Sequence, residues 1–149
     1  MGLKVISIDG ALLRKCEKRR FQMKVLQDIW IVKESGIVIF HRAFNESLSP
    51  HLFGAMMSAL NMFAEELVDG GLSNFELNNK RFTLIKKSDL IFVANSSKQF
   101  KQKKINRELE KISKKFLKLY SIKLENYKGQ LSAFSQFENL IQDSLEDIH

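Results

Sequence analysis

The 149-residue chain is one domain by length, long enough to bury a proper core, and 44% of its residues are hydrophobic. One proline and 12 phenylalanines argue against disorder, and the single cysteine, Cys16, excludes an internal disulfide framework or a cysteine-built metal site. A formal net charge of +7 leaves nucleic acid, an anionic membrane and acidic proteins open as partners, while no apolar run approaches the ~18 residues of a membrane span.

The first residues lack the long apolar stretch of a secretory signal, and Ile6 stands where a myristoylation motif wants Ser or Thr. A cytoplasmic protein, in places peripheral to a membrane, is therefore expected. Residues 1–24 read as a basic N-terminal extension, with a short strand at 5–8 and a weak amphipathic helix at 11–20 carrying Lys15, Lys18, Arg19 and Arg20. Residues 25–149 read as the folded domain.

Residues 25–32 end in the continuous apolar run Ile29, Trp30, Ile31, Val32, and residues 36–44 contain another. Such runs suit strands covered on both faces. The KESG between them predicts a hairpin loop with its glycine last.

The stretch 49–71 reads as a complete helix around which the rest is arranged. Ser49 can cap it, Pro50 fits its first position, and Gly70 and Gly71 supply a left-handed stop. Leu52/Phe53, Met56, Ala59/Leu60, Phe63 and Leu67 recur at three-to-four spacing, which predicts that this stripe is buried. Residues 73–77 and 80–86 alternate apolar and polar, as half-buried strands do, about the turn-forming Asn78 and Asn79. Residues 90–94, LIFVA, read as a central strand.

Residues 101–120 predict a helix with the apolar line Ile105, Leu109, Ile112, Phe116 and Leu119. Its other face is a candidate basic patch of Lys101, Lys104, Arg107, Lys111, Lys114, Lys115 and Lys118, with Lys103 beside it. Lysine dominates and the aromatics follow the buried line, which weakens a base-stacking reading, so nucleic acid is the less favoured partner; an anionic membrane or acidic protein fits the charge as well. A last helix is expected over about 131–147, with the stripe Phe134, Phe137, Ile141, Leu145 and Ile148. It is acidic, and its opposite charge favours antiparallel docking on the basic helix, although each exposed pair contributes only ~0.2–1 kcal/mol.

No chemistry-bearing spacing emerges. His41 follows an apolar strand and His51 opens a helix, both without a partner acid in sequence. There is no HExxH, GxSxG or GxxxxGK[ST], so no metal, cofactor or catalytic residue is expected, and the chain is not itself a GTPase.

The order strand, strand, helix, three strands, helix, helix resembles the longin fold of SNARE, adaptin and TRAPP components, and most of all stand-alone longin-like proteins of archaea. The residues that carry the resemblance are DIWIVKESGIVIFHRAF at 28–44, LFGAMMSALNMFAEEL at 52–67, GGLSNFEL at 70–77 and DLIFVA at 89–94. The resemblance implies an α+β fold: a five-stranded antiparallel sheet, the first and fifth strands central, one helix on one face and two C-terminal helices on the other. Trp30, Phe63, Phe92, Phe116 and Phe137 should all be buried. It further implies a non-catalytic protein-interaction module, partnered by a small GTPase or a membrane-traffic-like protein, with Phe40, His41, Arg42 and Phe44 as the candidate surface beside the organising helix. The alternative is a nucleic-acid or anionic-surface-binding regulator using the Lys-rich helix at 101–118. If 37–44 forms a sheet edge, its unpaired backbone should be covered by residues 1–24 or by another chain, as in a homodimer.

Overall fold

The structure, a computed structural model, describes residues 24–43, 49–130 and 132–145. The expected strand at 5–8 and helix at 11–20, and with them Cys16, lie outside the described residues. In chain order the elements are β1 (Leu26–Lys33), β2 (Val38–Arg42), α1 (Pro50–Leu67), β3 (Asn74–Glu76), β4 (Lys80–Lys87), β5 (Leu90–Ser97), α2 (Gln102–Glu125), α3 (Phe137–Leu140) and a 3-10 turn (Gln142–Ser144).

The strands form one antiparallel sheet in the order β2-β1-β5-β4-β3. The two most continuously apolar runs lie side by side inside it, with Ile31 opposite Phe92 and Trp30 opposite Val93. Strands flanked on both sides and covered on both faces have no solvent face to alternate toward, which is why these runs are unbroken. β2 and the three-residue β3 are the edges.

The β1–β2 and β4–β5 turns use left-handed backbone, whereas the β3–β4 turn around Asn78 and Asn79 has no residue at positive φ. Gly36 has φ 98°, and its N–H donates to the carbonyl of Lys33 at 2.8 Å. Between β4 and β5 two non-glycine residues, Ser88 and Asp89, sit at φ 52° and 61°, as a two-residue mirror-type turn demands. The turns are tied together, since the Glu34 N–H donates to the Asp89 carbonyl at 3.1 Å.

Two apolar layers sandwich the sheet. On one face Trp30, Val32, Phe82, Leu84, Ile91 and Val93 meet Phe53 and Met57 of α1. On the other, Ile29, Ile31, Phe92 and Ala94 meet Ile105, Leu109, Ile112 and Phe116 of α2 together with Phe134, Phe137, Ile141 and Leu145. Trp30, Phe92, Phe116 and Phe137 are buried as expected; Phe63 is not, being 66% exposed.

The C-terminal helix differs from expectation. Among its described residues only four are α-helical, within a run of tight turns in which Phe137 N–H bonds the Phe134 carbonyl (3.0 Å), Asn139 the Gln136 carbonyl (3.1 Å) and Ser144 the Ile141 carbonyl (3.1 Å). Ser135 donates its hydroxyl to the Ser132 carbonyl at 3.0 Å, offering the backbone a local alternative to the helical ladder. Phe134, Phe137, Ile141 and Leu145 are buried all the same, because three-residue turns return a side chain to the same side nearly as often as α-helical ones; Ile148 lies outside the described residues. Docking rests on rings: Phe116 meets Phe134 and Phe137 at 5.2 and 5.0 Å. Among the described residues, Lys115 donates to the Leu140 carbonyl at 2.6 Å and Glu138 faces Arg42 at 3.9 Å; Glu146 and Asp147 lie outside them.

Candidate protein-interaction surface

Helix α1 starts as its residues dictate: Ser49 Oγ accepts the Leu52 N–H at 3.4 Å, with Pro50 in the first turn. Its buried face is a surprise of composition, consisting of Phe53, Gly54, Met57, Ser58 and Asn61. Phe53 stacks on Trp30 with ring centroids 4.0 Å apart. Gly54 lies directly on the first hairpin turn, where a Cβ would stand 2.3 Å from the Gly36 carbonyl oxygen. One turn later the Ser58 hydroxyl donates to the Glu34 carbonyl at 2.5 Å, and Asn61 Oδ1 accepts from Lys86 Nζ at 2.7 Å. Small and hydrogen-bonded residues therefore face inward because the helix must approach a turn whose backbone it can satisfy.

The consequence lies on the outside. Of the stripe read as core only Phe53 is buried; Leu52, Met56, Leu60, Phe63 and Leu67 are exposed along the length of the helix, and Met62 and Val68 widen the row. The spacing of four, four, three and four residues places all five on one helical face. An isolated exposed leucine means little, but a contiguous row of large apolar side chains is the surface signature of a contact site.

The expected hairpin surface is redistributed. Phe40 is buried, edge-on to Phe137 at 5.4 Å, and Arg42 is buried with Nη1 donating to the Gln27 carbonyl at 2.7 Å. Strand alternation sends His41 the other way, to solvent, and Phe44 lies outside the described residues. His41 and His51 share a cleft of about 310 Å³ beside the β2 edge, which Pro50 and Glu138 also line. Among the described residues no three His, Cys, Asp or Glu side chains are grouped so as to hold a metal ion.

Lys101 precedes α2, and Lys104, Arg107, Lys111, Lys114, Lys115 and Lys118 are exposed on the helix. Sequence reasoning missed that Leu119 and Ile122 are exposed with them, at 50% and 75%. The spacing puts Leu119 in the buried line, but the side chain is exposed, and α2 continues to Glu125 instead of ending at Tyr120.

A five-stranded antiparallel sheet with a long helix on each face defines the molecule as an α+β domain of longin type. The chain belongs to the longin family: residues 27–146 match the family described as the first longin domain of FUZ, MON1 and HPS1. Among solved structures it is similar to Myxococcus xanthus MglB, at 13% identity over 64% of this chain and 84% of that one, with a TM-score of 0.53. It is equally similar to a Roadblock/LC7 domain from Streptomyces avermitilis, at 13% identity over 66% of this chain and 87% of that one, TM-score 0.54. At such identity these two likenesses concern the fold alone. No curated protein sequence matches the chain.

Proposed function

We propose that this chain is a non-catalytic protein-interaction module of small-GTPase-associated or membrane-traffic-like machinery, and that the outer face of α1 is its main contact surface. The observation that carries the reading is the exposed row Leu52, Met56, Leu60, Phe63 and Leu67. A folded domain gains nothing by holding that much apolar surface in water, whereas burying such a side chain contributes about 1.5–3 kcal/mol. The small-GTPase part rests on longin membership. His41, at the mouth of the cleft beside the start of α1, is the part of the expected hairpin surface positioned to join the contact. Residues 1–24 are a basic extension of the domain on the same reading.

A homodimer through α1 has a specific observation in its favour. The helix has no acidic residue in its first turn and no basic one in its last, while Glu65 and Glu66 occupy its C-terminal end and Asp69 follows it. That is the wrong way round for the helix dipole. Glu65 is held on the sheet side by Asn61 and Lys86, but two antiparallel copies would set Glu66 and Asp69 toward each other's N-termini and lay Phe63 against Met56 and the small Ala59.

The test is capture of the host's small GTPases in both nucleotide states by the full chain, alongside sedimentation of the chain alone. Phe63→Asp should weaken capture, self-association or both while leaving the fold intact. Failure to capture any GTPase or trafficking protein, with a wild-type monomer at high concentration, would sink the reading.

A further inference from the structure

On the far side of the sheet from α1, helix α2 presents a second surface of different chemistry. Lys104, Lys111, Lys115, Lys118 and Ile122 follow one another at steps of seven, four, three and four residues and are all exposed, so they share one line down the helix. Arg107 and Lys114 flank it. Two carboxylates of α2 border this line and are shared with other partners: Glu108 accepts from the Ser144 hydroxyl at 2.9 Å and from Lys111 at 3.5 Å, and Glu110 pairs with Lys87 and lies 3.9 Å from Lys114; Lys104, Lys111, Lys115, Lys118, Arg107 and Lys114 outnumber them. At the C-terminal half exposed aliphatic side chains, Leu119 and Ile122, join the charge, and Leu140, whose carbonyl accepts from Lys115, is exposed as well.

From this we infer that the outer face of α2 rests on an anionic lipid bilayer. Lysine ammonium groups lie among the headgroups, and Ile122 and Leu119 enter the acyl boundary. Lysine suits this placement because its aliphatic stem follows apolar surface while its charge stays wet. Basic residues next to inserted aliphatics are the chemistry of an interfacial helix. Nucleic acid is disfavoured by the same surface: among the described residues the exposed large apolar side chains of α2 are aliphatic, and the exposed aromatic one, Phe63, is on α1 across the sheet. A strand of bases would find charge there but no ring to stack on. The arrangement also leaves the α1 stripe facing away from the bilayer, open to a protein partner, so the inference does not depend on who that partner is.

The experiment is cosedimentation of the full chain with vesicles of phosphatidylcholine alone and of phosphatidylcholine with phosphatidylserine, with single-stranded and duplex nucleic acid assayed in parallel. Binding is expected only to the phosphatidylserine vesicles, and it should fall as salt rises. The double variant Lys111→Glu/Lys118→Glu should lower it at least about tenfold. Ile122→Ser, which leaves the net charge unchanged, should lower it about threefold or more. That last arm separates a bilayer from a soluble polyanion, which would not register the loss of one aliphatic side chain. Circular dichroism of both variants checks that the fold is intact, as exposed positions allow. No phosphatidylserine-dependent binding, binding unmoved by either variant, or tight nucleic-acid binding at physiological salt without vesicle binding would each overturn the inference.

Discussion

Gly54 on α1 touches Gly36 in the first hairpin turn so closely that a Cβ on Gly54 would lie 2.3 Å from the Gly36 carbonyl oxygen and 2.7 Å from a methyl of Val38. This backbone-to-backbone contact is what sets the helix down on the sheet and decides which of its faces turns outward.

Gly54→Ala is therefore expected to destabilise the domain. Alanine gains about 1 kcal/mol in helix propensity over glycine, but the obstructing atom is a backbone oxygen that cannot swing aside. Overpacking of this kind costs about 1–3 kcal/mol, and the clash wins. Urea denaturation would show a lower midpoint at unchanged slope; a variant as stable as the parent would mean the helix sits elsewhere.

Two phenylalanines predicted alike from sequence should behave oppositely. Phe116 is fully buried and packs against Phe92, Phe134 and Phe137, so Phe116→Ala should cost about 3–5 kcal/mol. Phe63 is exposed, and Phe63→Ala should stay within about 0.5 kcal/mol of the parent. Comparable losses in thermal or chemical denaturation would place Phe63 in the core after all.

Asp28 and Asn95 form a buried reciprocal pair across the central strands. The Asp28 N–H donates to Asn95 Oδ1 at 2.9 Å, and Asn95 Nδ2 donates to Asp28 Oδ2 at 2.7 Å. Asn95→Ala removes both bonds without offering water a way in, and the expected loss is about 1–3 kcal/mol. An Asn95→Ala protein that melts with the parent would show that these bonds carry no net weight.

Glu76 sits at the β3 edge, its carboxyl held below the ordinary value of 4.5 by hydrogen bonds from Lys98 first and Arg81 second. A carboxyl lowered in the folded state contributes stability that is present above its unfolded value and lost as pH falls through the folded one. Glu76→Gln should thus flatten the stability–pH curve below about pH 4.5, and the difference should shrink in high salt because the side chain is exposed. Parallel acid limbs for the two proteins would refute this.

Much of the architecture is legible in the chain because period and continuity report local geometry. The unbroken run Ile29 to Val32 and the run at 90–94 mark the paired inner strands β1 and β5, KESG marks a turn, and Ile105, Leu109, Ile112 and Phe116 mark the buried line of α2. Residues at 131–147 misled because Phe134, Phe137, Ile141 and Leu145 satisfy α-helical spacing, yet serines at 132 and 135 and successive three-residue turns keep them buried without a long helix.

What the residues by themselves determined is that 50–67 is a helix, where it starts, and that it is apolar on more than one side. Which side is core was decided only by the tertiary structure. Periodicity ranks faces by hydrophobicity, and on that measure Leu52, Met56, Leu60, Phe63 and Leu67 outrank Gly54, Ser58 and Asn61. The sheet selects by fit instead: the hairpin turn admits only small side chains at 54 and 58, its Glu34 carbonyl satisfies the buried serine, and Lys86 of β4 satisfies the buried asparagine. The more apolar face is left in solvent for that reason, and the surface on which the proposed function rests exists only in three dimensions.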